Sequence, residues 1–247
     1  MKRILFALSV VIAGLYIMGC ESKLTDAQKI VEKAIETAGG EKYLNSTIAF
    51  DFRERHYIAT RNGGQYSYER ITQDNSGTIH DFVANEGYHR EVNGVKVEVP
   101  DSMAVRYTSS TNSVIYFALL PYGLNDAAVN KKFLGETTIK EKPYYLVQIT
   151  FHPDGGGEDF EDVYLYWIHQ KDFTVDYLAY SFAEADETSF RFREAYNPRT
   201  VNGIRFQDYI NYSPADNSIP LDSAESFFKK GKLEELSRIE TENPTVR

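Results

Sequence analysis

The strongest constraint on this chain is a change of hydrophobic period at Thr47. Ile48, Phe50 and Phe52 alternate there with Ala49, Asp51 and Arg53, the pattern of a strand with one buried face. Further strand-like runs fall at 65–73, 78–84, 87–92 and 95–99. They are separated by Asn62-Gly63-Gly64, Asn75-Ser76-Gly77, Asn85-Glu86-Gly87 and Asn93-Gly94, and Asn-Gly suits the positive φ of a two-residue hairpin turn. Strands joined this tightly are antiparallel neighbours, because a parallel crossover consumes a dozen or more residues. The pattern resumes at 133–139, 143–152, 162–169, 174–182, 187–196 and 204–213, with Asn202-Gly203 as a second hairpin signal and weaker strands at 225–229 and 233–241. The prediction is a mainly β (α+β) chain built on one long antiparallel meander.

Two helical segments punctuate it. Thr25-Asp26-Ala27-Gln28 reads as a capping box, followed by an apolar stripe of Ile30, Val31, Ala34, Ile35 and Ala38 that ends at Gly39-Gly40. The stripe is placed against one face of the sheet. Between Pro100 and Lys132 the meander stops: Asp101–Tyr107 and Asn112–Leu120 read as helical, and Pro121 ends the second segment. This insert is positioned to cover one opening of the sheet. No repeat, linker or composition break interrupts residues 24–242, which are taken as one domain, with 243–247 as a tail.

Strands 163–168 and 174–182 are apolar or aromatic at both alternating sets of positions. Such strands are covered on both faces, and the second cover is the opposite wall of a filled sandwich or barrel, an apolar ligand cavity, or the inserted segment. Phe50, Phe52, Tyr66, Tyr68, Trp167, Tyr177, Phe190, Phe192 and Phe206 are the candidate cavity residues. Arg191 and Arg193 are read as an outward face opposite Phe190 and Phe192.

The amino terminus carries a different message. Lys2 and Arg3 precede an apolar run from Ile4 to Met18, then Gly19-Cys20 and an abruptly polar stretch, the pattern of a secretory signal. The run is shorter than the roughly 20 residues that span a bilayer. Ile17-Met18-Gly19-Cys20 resembles the bacterial lipobox, which implies that residues 1–19 are cleaved, Cys20 is acylated and 20–23 form a tether. Cleavage deepens the net charge from −9 to about −11. Two or three acyl chains, at about 0.8 kcal/mol per buried methylene, anchor such a chain stably where one would not. With Cys20 the only cysteine, an intramolecular disulfide and a multi-thiolate zinc cluster are excluded, and the acidic balance without a basic block argues against nucleic acid.

Several segments together carry a family resemblance: Cys20, the helix ending at Gly39-Gly40, the meander, and Leu119-Leu120-Pro121-Tyr122-Gly123-Leu124. Leu134-Gly135-Glu136, Lys142-Pro143-Tyr144-Tyr145 and Asn202-Gly203-Ile204-Arg205-Phe206 extend it. The chain resembles LolA/LolB-type lipoprotein-sorting proteins, and more closely uncharacterised Bacteroidota outer-membrane lipoproteins of that fold. The resemblance covers roughly residues 24–240. It implies a half-open barrel of curved antiparallel sheet around an apolar cavity, with helices as a lid and acyl chains as cargo. It also departs from the soluble carrier of that pathway, which is not itself lipidated.

Enzyme readings find little support. Gly-x-Ser-x-Gly and His-Glu-x-x-His motifs are absent. His80 and Asp81 are adjacent in a strand and point to opposite faces. Glu54 with His56, and His89 with Glu91, are the acid/base pairs that a pocket would need to gather. His152-Pro153-Asp154 with Glu158, Asp159, Glu161 and Asp162 lacks EF-hand spacing and is read as a solvated loop. The expectation is a monomeric, non-enzymatic lipoprotein of the cell envelope, at the outer membrane, without metal or cofactor, whose 101–134 insert gates a cavity for an acyl chain, lipid or lipidated protein. The competing readings are an anchored interaction protein with a filled core and, further off, a hydrolase.

Overall fold

In the computed structural model, which describes residues 26–154, 160–184, 187–216 and 218–247, the chain forms two seven-stranded antiparallel sheets and three α-helices. The signal-like segment 1–19, Cys20, the tether 20–23 and Thr25 lie outside the described residues. Helix α1 (Ala27–Ala38) is capped by Asp26, whose carboxylate accepts from the backbone of Gln28 and Lys29. The Gln28 side chain donates to Glu32 and Asn125, and the described cap is the Asx cap of Asp26. Gly39 closes the helix at φ +148°, and a Cβ there would meet Ile204 and Tyr43 at 3.1 Å.

The first sheet contains β1 (Asn45–Phe52), β2 (Arg55–Asn62), β3 (Gln65–Asp74), β4 (Gly77–Ala84), β5 (Gly87–Val92) and β6 (Val95–Val97). Helix α2 (Asp101–Ala118) leads to the second sheet. That sheet contains β7 (Val129–Ile139), β8 (Lys142–Phe151), β9 (Tyr164–His169), β10 (Val175–Glu184), β11 (Glu187–Val201) and β12 (Ile204–Pro214). After α3 (Ala224–Lys229), β13 (Leu233–Ile239) joins the second sheet beside β12, and β14 (Glu242–Val246) returns to the first beside β1. The two sheets meet where β13 passes into β14. There Asp208 accepts from Arg199 at 3.0 Å and from the Thr241 amide at 2.9 Å. Their far edges, β6 and β7, do not pair with each other, and α2 connects them. The result is the half-open barrel expected from the sequence, with α1 and α2 on its inner side.

Among the described residues three apolar clusters are buried, two inside the barrel and one on the outer face of the second sheet. Ile30, Val31 and Ala34 of α1 pack on Val147, Ile149, Tyr166, Ile168 and Leu178 of the second sheet. Burial of each large aliphatic side chain there contributes about 1.5–3 kcal/mol. Ile115 and Leu119 of the α2 segment pack on Ile48, Phe50, Tyr57 and Ala59 of the first sheet, together with Tyr43, Ile204 and Phe206. On the outer face of the second sheet, Leu165, Trp167, Tyr177, Phe190 and Phe192 are sealed by α3. Phe228 stacks on Phe192 at 4.4 Å, and Glu225 accepts the Trp167 indole N–H at 2.7 Å. Both faces of β9 and β10 are therefore covered, by helices on either side.

Several local expectations change. The two helical segments of the insert are one helix through Ser109-Ser110-Thr111, because Arg70 donates to the Ser110 hydroxyl and Thr111 is fully buried. The insert ends at residue 128, since β7 starts at Val129. Residues 224–229 are helical: Ala224 and Phe228, one helical turn apart, lie on the outer sheet face and cover it. Strand β2 lacked a signal because the β1–β2 turn is Arg53-Glu54, with Arg53 at φ +56°. Residues 243–247 were expected to trail beyond the domain, yet Ile48 pairs with Val246 and Thr47 exchanges backbone bonds with Arg247. Arg191 and Arg193 point inward: Phe190 and Phe192 take the outer face under α3, and strand alternation sends the arginines to the other side. The Arg193 guanidinium sits 4.2 Å from the Phe117 ring centroid and donates to the Tyr180 hydroxyl.

Phe192→Ala should lower unfolding stability by about 3–5 kcal/mol in urea titrations while leaving any ligand bound under α2 unaffected, since Phe192 lies on the opposite side of the sheet.

Candidate ligand cavity

The inner face of the first sheet can be followed residue by residue across its ladders. One row runs Ile48, Ala59, Tyr68, Val83, Tyr88; the next runs Phe50, Tyr57, Arg70, Asp81, Arg90, Val97. The second row places a carboxylate between two guanidiniums beneath α2. Asp81, only 1% exposed, accepts from Arg70 at 2.7 Å and 3.0 Å, from Arg90 at 2.7 Å and 3.1 Å, and from the Tyr88 hydroxyl at 2.6 Å. Burial alone would raise its pKa, but hydrogen bonds from Arg90, Tyr88 and Arg70 outweigh it and hold the carboxyl below its ordinary range. Helix α2 closes the cluster: Tyr107 lies 3.8 Å from the Arg90 guanidinium, and Ser110 accepts from Arg70 at 2.9 Å. Charged groups thus fix one side of α2 to the sheet.

The adjoining side of α2 does not reach a wall. It presents Ala104, Val105, Thr108, Ser109, Asn112 and Ser113, small side chains that leave a cavity of about 710 Å³. Tyr66, Tyr68 and Tyr88 of the first sheet form one wall, and Val129, Phe151 and Tyr164 of the second form another. Tyr116, Phe117 and Leu119 close the carboxyl-terminal end of the helix side. The volume falls within the range of small-molecule sites, and the lining is mostly aromatic and aliphatic with few polar groups, as such sites require.

The polar groups collect at Arg61, Tyr122 and Asp126. Arg61 donates to the Tyr68 hydroxyl at 2.6 Å, and its guanidinium lies 5.0 Å from the Tyr68 ring centroid and 4.6 Å from that of Tyr122. Burial pushes the Tyr68 hydroxyl up, against the pull of Arg61. Burial likewise raises the Asp126 carboxyl, opposed by Arg61 and Lys131.

Of the nine aromatic residues expected to line a cavity, Tyr66 and Tyr68 do so. Phe50 and Phe206 are core residues under the end of α2, and Phe52 packs against that cluster. Trp167, Tyr177, Phe190 and Phe192 belong to the core under α3; they are corrected from cavity to packing because α3 occupies the outer face of their sheet. Arg61, Tyr88, Tyr122, Asp126, Phe151 and Tyr164 were missed. Arg61 was legible in principle, since it shares the face of Tyr57 and Ala59 and stands opposite Tyr66 across the hairpin.

The acid/base pairs lie elsewhere. Glu54 sits in the exposed β1–β2 turn, and His56 bonds Asp51 at 2.6 Å on the outer face. His80 bonds Glu69 at 2.8 Å, and His89 stands 3.9 Å from Glu91. Glu158 and Asp159 of the acidic segment lie outside the described residues, and among the described residues no three His, Cys, Asp or Glu side chains are arranged to hold a metal. No described helix is long and apolar enough to cross a membrane.

A family model described as a family of unknown function, DUF6503, matches residues 2–241. No curated protein matches the chain. Among solved structures it is similar to a LolA superfamily protein from Nitrosomonas europaea. The two are 13% identical, with 91% of this chain and 94% of that chain covered and a TM-score of 0.51. It is also similar to a DUF1329 family protein from Desulfovibrio piger, at 7% identity, 90% and 93% coverage and a TM-score of 0.49. The fold is LolA-like.

Asp81→Asn removes the charge that two buried guanidiniums share, and should cost about 3–5 kcal/mol in urea unfolding. Because the folded pKa of Asp81 is depressed, its contribution is complete above the unfolded value of about 3.9 and is lost as pH falls through the folded value. An acid titration of the wild type should therefore show stability declining below about pH 4, in the range of that aspartate pKa, with a shallower decline in Asp81→Asn.

Proposed function

The chain belongs to the DUF6503 family, whose function is unknown, and we propose that it binds an acyl-type hydrophobic ligand in the cavity beneath α2, as a lipid-anchored protein of the bacterial cell envelope. The cavity carries the reading: about 710 Å³ of space between a helix with small side chains and two aromatic walls, near the one connection that bridges the open edges of the barrel. Each methylene moved from water into it contributes about 0.8 kcal/mol, so burial of a long acyl chain supplies the driving force for binding. The LolA-like fold supports the same class of ligand.

Anchoring rests on the sequence alone. Residues 1–19 have the charge and length of a signal peptide, Cys20 stands at a lipobox, and the residues from Ala27 onward form one domain tied together at its sheet corner. The acidic body disfavours flat adsorption to anionic lipid, which leaves membrane contact to the acyl chains. Outer-membrane residence, a monomeric state, a non-catalytic role and Bacteroidota kinship are parts of this reading.

Filling the cavity tests it. Ser109→Trp puts an indole into the space from the α2 side. Binding of a fluorescent long-chain fatty acid should weaken at least tenfold, while the urea midpoint stays within the range of a surface substitution. Unchanged binding would place the ligand elsewhere.

A further inference from the structure

Arg61 has an incomplete set of partners in a place where that is costly. Its Nη2 donates to the Tyr68 hydroxyl at 2.6 Å. Its Nη1 is buried and meets no acceptor among the described residues, although leaving a buried donor unsatisfied is costly, the more so when it is charged. The rings of Tyr68 and Tyr122 lie 5.0 Å and 4.6 Å from the guanidinium. Asp126 lines the same cavity but does not bond Nη1.

We propose that Arg61 is the head-group site of this cavity and that its ligand is a single-chain amphiphile ending in a carboxylate, of which a long-chain fatty acid is the simplest form. This rests on the reading that the cavity takes an acyl chain, and adds its polarity and orientation. The head lies at Arg61, which lines the cavity; Nη1 is covered in this structure, so the guanidinium turns toward the cavity for a carboxylate oxygen to accept from Nη1 in a charge-assisted bond. The tail runs along Val105, Phe117, Phe151 and Tyr164. A planar carboxylate matches the edge of a guanidinium flanked by aromatic rings, whereas a bulky phosphodiester head needs room beyond that edge. Asp126 opposes the anion and moderates its affinity.

The test uses the full chain in lipid nanodiscs and a diazirine-bearing palmitic acid probe, with labelling of the cavity peptides around Phe117 and Phe151 read by mass spectrometry. Palmitic acid should compete for labelling at least tenfold better than 1-hexadecanol. In Arg61→Gln the two competitors should become equal while hexadecanol competes as in the wild type. Arg61→Lys, which keeps the charge but loses the fork, should retain part of the preference, and Asp126→Asn should increase it. Equal competition in the wild type, or a preference that none of these variants moves, overturns the assignment of Arg61 while leaving an apolar cavity in place. If the cavity peptides are not labelled and neither compound competes, the reading of the cavity as a ligand site falls with it.

Discussion

The position of α2 depends on one buried carboxylate. Asp81 holds Arg70 and Arg90 in place on the inner face of the first sheet, and those two guanidiniums receive Tyr107 and Ser110 of the helix. An uncompensated charge at that depth would be prohibitive. The cluster is tolerated because Asp81 accepts five hydrogen bonds from three donor side chains. Its effect is directional: it fixes the helix to one wall and leaves its neighbouring side free. With α1 already packed on the second sheet, α2 reaches Phe151 and Tyr164 only through Tyr116 and Phe117, and among the described residues no further element fills the space beside the smaller side chains of α2. The cavity is thus a consequence of how three helices are shared among four sheet faces.

That sharing also explains why aromatic content alone does not locate a site. Trp167 and Phe192 lie on strands as aromatic as any in the chain, yet α3 covers them and Glu225 satisfies the indole. Tyr66 and Tyr68, on a more polar strand, line open volume because the residues opposite them on α2 are alanine, serine and threonine. A cavity is defined by the small side chains facing it as much as by the large ones around it.

The meander, most of its turns and the α1 stripe were legible in the sequence, because period-two alternation and Asn-Gly turns are local signals; the half-open architecture came from the family resemblance. What escaped depends on tertiary context. Phe227 and Phe228 look like strand residues until a sheet face is available for a short helix to cover. Arg191 and Arg193 look outward-facing until the opposite face is known to be sealed, and Arg193 then finds its place against Phe117 and Tyr180. Arg61 lies in a strand whose preceding turn, Arg53-Glu54, carries none of the usual turn residues. Asp126 lies in a loop with no periodicity to read. The polar end of the cavity was therefore the least visible part of the chain, although it contains the charged groups of the lining.

The central claim is that the space beneath α2 holds an amphiphile in the native protein. Native mass spectrometry of the chain released gently from its own envelope membranes addresses this directly. The account predicts one adduct per chain with the mass of an acyl amphiphile, absent from Ser109→Trp. A bare chain, both as isolated and after incubation with palmitic acid, would contradict it.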